Sequence, residues 1–594
     1  MTVTASAEPT KMPPLARPRV LDGIIVLAYF LVAFVLYVDL WLDLSHGYLV
    51  DSGEDQNLFE WFFAVQAQGL AHGHVPLFST LQNYPLGVNL MGNTAMPGLA
   101  VPLAPLTWLF GPTVTWAVIL TAGLAGTATG WYVVFSRHLV QSRWAAGIGG
   151  ACCAFAPPVI SHAHAHPNFT AMFVLPVIVL WLLRLAERGR TLRDGLILGL
   201  LVALQVLIGE EPLLILATGL LVMVLAWLVM RPAQVLAAAR RALPGIGLGA
   251  LIAVWLVGYP LWMQFFGPAS YKSLLHGPAG NDLSAFVSLP RQSFGGQLVN
   301  PGQYVDNPTE QNSFFGWPLI GLLAIVMVWL WREIPARLAG ITVLVIFAMS
   351  YGGHALLYGQ PTGIPGPWLL MGKLPLFESL IEARMTFAAL PAIGMLLALA
   401  SDQMLRASMP NPVRGLGWLT PRRLWFVALS LAVIPILPVR FTVEPRPAAP
   451  AFFTDGAWEQ YVRPGHTLVT VPLPAAGYAS PLHWQVVAGL RFPIAEGYFV
   501  GPAGPSKDGT YGAVPTPTSA LLTGVAQTGA VPALTTANQA QAVADLRYWN
   551  ADAVVLAAAQ PNFEALRTTV DQLLGPGQGR DGVVVWNARA LTGG

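Results

Sequence analysis

Charge is what this sequence has least of. Of its 594 residues only 10% are Asp, Glu, Lys or Arg, while 55% are hydrophobic. Soluble domains carry roughly 25% charged residues, so most of this chain must face lipid or other apolar helices. Cysteine is nearly absent as well: Cys152 and Cys153 are the two, adjacent inside an apolar run. Neighbouring cysteines rarely bridge, because a disulfide needs properly separated Cα atoms. A disulfide framework and a zinc-type cysteine spacing are therefore excluded, and the pair reads as small apolar side chains of a helix. A cleavable leader is not evident either. Lys11, Arg17 and Arg19 precede an apolar run, 21–42, that is too long for a signal peptide, and Leu40-Trp-Leu-Asp offers no small-residue cleavage site. The run reads as a retained signal anchor.

What is abundant is long apolar sequence. Runs suited to about 30 Å of hydrocarbon fall near 22–42, 113–135, 144–161, 168–186, 194–209, 211–230, 244–266, 314–331, 336–350, 385–402 and 424–440. The stretch 97–110 is interrupted by Pro102 and Pro105 and ended by Gly111-Pro112, so it reads as interfacial or re-entrant. With the N-terminus in the cytoplasm, the inner segments (the tail, 136–143, 184–194, 231–242, 332–337 and 403–423) hold 18 of the 31 Lys and Arg residues. The outer loops hold only Lys272, Arg291, Lys373 and Arg384. By the positive-inside rule this predicts an α-helical polytopic protein of the cell membrane with about eleven transmembrane helices. Its parts are a cytoplasmic tail (1–20), a membrane domain (21–442) with a large first outer loop (43–112), and an extracytoplasmic segment (443–594).

That last segment has no spanning run. Pro-rich Glu444-Pro-Arg-Pro-Ala-Ala-Pro reads as a linker. Thr467-Leu-Val-Thr-Val, Ala553-Val-Val-Leu and Gly582-Val-Val-Val-Trp read as strands, with helices at 538–549 and 563–574. The alternation predicts a small α/β layer.

The polar residues that need explaining all fall on the outer side of this topology. First is Asp51-Ser-Gly-Glu54-Asp55, in a loop with four carboxylates and no Lys or Arg from Ser45 to Pro112. Such a cluster at a membrane surface is costly unless it binds a cation or a proton donor. A carboxylate of Asp55, Asp51 or Glu54 could serve as a general base on an acceptor hydroxyl. Alternatively, Asp55 and Asp51 could hold a divalent cation, Mg2+ or Mn2+, on a phosphate leaving group. The following stretch, Leu58 to Leu70, is amphipathic and is expected to lie along the interface. In Ser161-His162-Ala-His164-Ala-His166 the imidazoles recur with period two, which would share a face in an extended segment but not in a helix. Their readings are metal ligation, phosphate or sugar contact, or helix-end polarity. Glu210-Glu211 lies in a very short loop near the headgroup plane, where like charges repel. Asp282, Glu310 and the group Glu378…Glu382-Ala-Arg384 complete the set. Arg384 begins a span; it either snorkels or clamps a lipid-linked phosphate bidentately, with His162 or His164 as a second contact.

Several stretches then match a known pattern: Glu54-Asp55-Gln56…Trp61, Asn83-Tyr-Pro-Leu-Gly-Val-Asn89, Asn93-Thr-Ala-Met-Pro97, His162-Ala-His164, Leu374-Pro-Leu-Phe…Arg384-Met-Thr-Phe387, and Trp484-Gln485…Gly497-Tyr-Phe-Val-Gly-Pro502. With one span, a large acidic outer loop, many further spans and an outer soluble segment, the chain resembles the type C (GT-C) membrane glycosyltransferases. It is most similar to the large actinobacterial group among them. The resemblance implies transfer of a sugar from a polyprenyl-phosphate carrier in the bilayer to a glycan or other cell-envelope acceptor, with no nucleic-acid partner. It also implies an essential first-loop acid, with Asp55 the best positional match and Asp51 the next. Several relatives use a metal, and many have Gly-Asp where this chain has Glu54-Asp55. The competing class is a transporter or flippase of a lipid-linked saccharide. Such proteins often carry inverted repeats, and no such symmetry is visible here.

Overall fold

The computed structural model describes residues 20–592 apart from 189, 275, 277–278, 300–303, 306 and 407–419. Most of the inner segment read at 403–423 therefore lies outside the described residues. The chain opens on α1 (Val20–Leu36), and α2 (Asp55–Ala71) follows in the first long loop. Among the described residues five helical stretches are long and apolar enough to cross a membrane. They are α3 (Pro112–His138), α4 (Thr191–Ile208), α5 (Glu210–Met230), α6 (Pro232–Phe266), and Glu382–Arg406, a 3-10 segment running into α7 (Leu390–Arg406). Three shorter apolar helices are α1, Trp317–Trp329 and Ile334–Ser350. All eleven apolar runs of the sequence carry helix, but several are broken. Gly195 and Gly199 of α4 lie against Gly245 and Gly249 of α6 so closely that a Cβ on either α4 glycine would stand 2.7 Å from a carbonyl oxygen of α6. Backbone contact of this kind is how small residues hold apolar helices together without a hydrophobic driving force. The stretch 97–110 forms only two short helices, Pro97–Ala100 and Ala104–Phe110, and leaves Trp108, Leu109 and Phe110 exposed.

The C-terminal segment carries a four-stranded sheet in the order β7-β8-β6-β3, built from β3 (Thr467–Val471), β6 (Ala551–Ala557), β7 (Gln578–Arg580) and β8 (Val583–Asn587). β3 and β6 pair in parallel, while β8 is antiparallel to both of its neighbours. One face, with Val469, Val471, Val554 and Val584, packs on helices Pro517–Thr528, Thr536–Tyr548 and Phe563–Leu574. The opposite face, with Leu468, Val555 and Val585, belongs to the same continuous core as Trp61, Phe62 and the membrane-type helices. Between β3 and β6 lies a hairpin of β4 (Val500–Ala503) and β5 (Asp508–Tyr511).

This continuity corrects three expectations. The stretch read as a Pro-rich linker is in part a strand: β2 (Val443–Pro445) pairs antiparallel with β1 (Gly47–Leu49) at the start of the first long loop. The stretch Leu58 to Leu70 does not lie on an interface. Almost all of α2 is buried, because the C-terminal segment covers the face that its sequence would offer to lipid headgroups; Trp61 Nε1 donates to Gln485 Oε1 at 2.6 Å. Finally, the acidic loop is not without basic partners. Arg446, one residue past β2, donates to both oxygens of Glu60 on α2, at 2.6 and 2.8 Å, with both side chains buried. Burial alone would raise the Glu60 carboxyl, and the guanidinium reverses that and holds it below its ordinary value. These partners are 386 residues apart in sequence, so no local pattern announces them.

Removing one member of a buried ion pair leaves an unpaired buried charge, at a cost of about 3–5 kcal/mol, whereas replacing both can be close to neutral. Arg446→Met should therefore lower thermal stability in detergent sharply, and Arg446→Met with Glu60→Gln should recover much of the loss. A single variant as stable as the wild type would contradict the clamp.

Candidate active site

The site grows from chain segments that each end close to one point. α5 begins at Glu210, immediately after Gly209, and so presents Glu210 and Glu211 at its first turn. The 3-10 turn Pro308–Glu310, capped by the side chain of Asn307, delivers Glu310. Glu382–Ala389 coils as a 3-10 helix and brings Arg384 between them. The guanidinium takes Glu310 along its Nε–Nη2 edge, with Nε at 3.1 and 3.2 Å from the two oxygens and Nη2 bonded to Oε1. Nη1 reaches Glu211 Oε2 at 2.8 Å, and the plane stacks 5.1 Å from the Phe169 ring centroid. Arg384 therefore does not snorkel; it is the centre of a partly buried carboxylate cluster.

From Glu310 the contacts run on through histidine. His162 Nε2 lies 2.9 Å from Asn312 Oδ1 and 3.4 Å from Glu310 Oε2, and Asn312 donates to that same oxygen at 2.8 Å. His162 Nδ1 faces His166 Nδ1 at 2.7 Å, and His166 Nε2 lies 3.3 Å from Asp55 Oδ2. Tyr498, from the C-terminal segment, closes the string by donating its hydroxyl to Asp55 Oδ1 at 2.5 Å. The result is one path of polar contacts, Tyr498–Asp55–His166–His162–Glu310–Arg384–Glu211.

The electrostatics follow from burial and neighbours. Burial pushes His162 down to about 4, against the pull of Glu310. Glu310 would itself be raised by burial, but Arg384 and His162 hold its carboxyl well below the usual range. Burial, reinforced by Asp55, drives the Tyr498 hydroxyl upward, so it remains a donor.

The remaining candidates fall elsewhere. His164 turns away from the string and packs edge-on against Phe441, 4.2 Å between centroids, and burial pushes it down to about 3. The period-two expectation fails because residues 162–166 form a turn, with His166 N–H donating to His162 O at 2.8 Å. That turn brings together residues four apart rather than two. Asp51 sits on Arg291 at 3.4 Å and Gln292 at 3.1 Å, a second basic partner for the acidic loop. Glu54 accepts from Asn57 Nδ2 and the Ala479 N–H; burial raises its carboxyl against those bonds. Glu382 accepts from the Ala279 N–H at 3.0 Å and pins that loop. Glu210 lines a separate small cleft with Thr94, Met96 and Ile208. Glu310 was legible only as an unexplained outer acid, and Tyr498 only as part of a matched motif.

Among the described residues, His162, His166 and Glu310 are a group that could hold a metal ion, with one ligand atom each and all three within 4.8 Å of one another. Two imidazoles facing each other through the same nitrogen must share a proton or a cation, so the group fits a divalent ion.

No family model and no curated protein matches the chain. Solved structures to which it is similar include the oligosaccharyltransferase of Archaeoglobus fulgidus in its apo form, at 14% identity and TM-score 0.45, covering 92% of this chain and 71% of that one. The archaeal oligosaccharyltransferase AglB from the same organism, in complex with an inhibitory peptide and a dolichol-phosphate, gives 14% identity and TM-score 0.46 over the same shares. A third structure of the Archaeoglobus fulgidus enzyme, with Zn and sulfate, gives 14% and 0.45, covering 90% of this chain and 68% of that one.

The buried histidines set a pH dependence. His162 and His483 are both held at about 4 and His164 at about 3, each chiefly by burial, against about 6.5 when exposed. Between pH 6.5 and 4 the unfolded chain binds more protons at these three histidines than the folded one, so their contribution to stability rises with pH across that window, while Glu496, raised to about 7 by burial, contributes in the opposite sense. Glu310, held low, adds to the loss below its ordinary value of 4.5. Between pH 7 and pH 4, thermal unfolding in detergent should show His162→Gln losing less stability on acidification than the wild type. The same change in both proteins would mean that His162 is not buried neutral.

Proposed function

We propose that the protein is a multi-pass cell-membrane glycosyltransferase that moves a sugar from a polyprenyl-phosphate-linked donor to an envelope acceptor. In this reading residues 1–20 lie in the cytoplasm, about eleven helices of 21–442 cross the bilayer, and 443–594 lie outside. The observation that carries it is the path just described, which joins a carboxylate suited to act as a base, Asp55, to an arginine suited to hold phosphate, Arg384. An apolar surface lies beside it. Phe387, 5.1 Å from the His162 ring, also lines a narrow apolar cleft with Trp131, Met172, Leu175, Ile215 and Leu216.

In the transfer, Asp55 takes the proton of an acceptor hydroxyl as its oxygen attacks the anomeric carbon. The bond from that carbon to the phosphate oxygen breaks, and the carrier leaves as the phosphate with its electron pair. Tyr498 and His166 orient Asp55 from its two oxygens. Arg384 faces the leaving phosphate: its carboxylate contacts occupy Nε–H and one N–H of each Nη, which leaves a second N–H on each Nη for two phosphate oxygens. Glu310 and Glu211 outnumber the one guanidinium, and a divalent cation, which His162, His166 and Glu310 would hold, would offset the added anion. Two imidazoles and a carboxylate suit zinc or manganese better than magnesium.

Sugar transfer from a lipid-linked donor in membranes tests the two roles. Asp55→Asn keeps the shape but loses the base, and should lower the rate by about 10²–10⁴-fold with donor binding largely kept; near wild-type transfer would remove Asp55 from the role. Arg384→Lys keeps the charge but not the planar fork, and should weaken donor binding, with Arg384→Ala weaker still. Equal donor affinity in wild type and Arg384→Lys would sink the clamp.

A further inference from the structure

Beyond the path of contacts, the β4–β5 hairpin brings a second tyrosine to the site. Tyr511 stands opposite Val500 in the hairpin register, two residues beyond Tyr498 on the facing strand. Its ring is half exposed, at 50%, yet its hydroxyl is within electrostatic reach of Arg384, Asp55, Glu310 and Glu211 together. His276 lies beside it, 6.4 Å between ring centroids and tilted by 53°.

The hairpin that carries Tyr511 is fixed from two sides. The Asn93 side chain bonds both backbone groups of Val500, at 2.5 and 2.8 Å, in the manner of an extra strand residue. On the other side Lys272 N–H donates to Lys507 O at 2.9 Å and Gly509 N–H to Ser273 O at 2.7 Å. The approach there is so close that a Cβ on Gly509 would stand 2.9 Å from Ser273 O and 3.0 Å from Leu274 Cα. The hairpin, fixed on both sides, thus leaves an aromatic face half open near the partly buried charges of the site. Half of the Tyr511 ring stays open to solvent there. It offers a flat apolar surface with a polar rim, which is what one face of a sugar ring packs against.

We propose that Tyr511, flanked by His276, is the platform on which the donor's sugar ring lies between Arg384 and Asp55. The inference rests on the transferase reading above and adds to it a subsite for the sugar, separate from the phosphate and supplied by the C-terminal segment. The ring, rather than the hydroxyl, is the working part.

The test is binding of two probes to the full-length protein in detergent. One is farnesyl phosphate; the other is the same phosphate carrying a hexose or pentose, taken from a panel of glucose, mannose and arabinose. Wild type should prefer at least one glycosylated probe over the bare phosphate. Tyr511→Ala should lose that preference, by up to about tenfold, while its affinity for farnesyl phosphate stays unchanged; Tyr511→Phe should keep the preference. If Tyr511→Ala discriminates as wild type does, or Tyr511→Phe loses as much as Tyr511→Ala, the platform is refuted while the phosphate site stands. If wild type binds no farnesyl phosphate at all, the donor reading itself fails and the platform with it.

Discussion

The arrangement depends on a single guanidinium between two carboxylates. Glu310 and Glu211 come from a loop turn and a helix start, and Arg384 pairs with both. Burying two carboxylates close together is unfavourable unless a cation stands between them. Arg384 supplies it on a planar frame whose two edges fix both partners at once, and stacking on Phe169 keeps the plane in place. Once Glu310 is fixed, Asn312 and His162 are fixed through hydrogen bonds to it, and His166 and Asp55 follow along the same path.

The other end of that path is secured differently. Asp55 is the first residue of α2, and α2 is held by the C-terminal segment through Glu60–Arg446 and Trp61–Gln485. The same segment provides Tyr498 to Asp55 and the hairpin bearing Tyr511. Strand β2 joins β1 a few residues before the acidic cluster, so the two parts of the chain share backbone hydrogen bonds as well as a core. The C-terminal segment is therefore a wall of the site and not an appendage to it.

How much of this was legible follows from the range of each interaction. Helical character came through because apolar runs are local, and the strands at 467–471, 551–557 and 583–587 came through for the same reason. Asp55, Arg384, His162, His166 and Glu211 stood out as polar residues at the ends of apolar runs. Their partners did not. Arg291 meets Asp51 across 240 residues and Arg446 meets Glu60 across 386, so counting charges within one loop made the acids look unpaired. The histidine run misled for a local reason: period two was visible, but Pro157 and Pro167 start short helices on either side and force a turn between them. Tyr498 could not be singled out, because a tyrosine becomes notable only once the carboxylate it meets is known.

The pairing also explains why His162 can remain neutral beside an ionised acid. A carboxylate 3.4 Å from an imidazole ordinarily draws a proton onto the ring, but here the charge of Glu310 is already taken up by Arg384, and burial of His162 opposes protonation further. Deleting the guanidinium would free Glu310 to share a proton with His162, and the two would then titrate as one unit. A loss of function in Arg384→Ala therefore mixes a missing phosphate contact with a re-protonated histidine pair. Lysine in the same place keeps a positive charge against Glu310 while giving up the planar fork, so it isolates the contribution of guanidinium geometry.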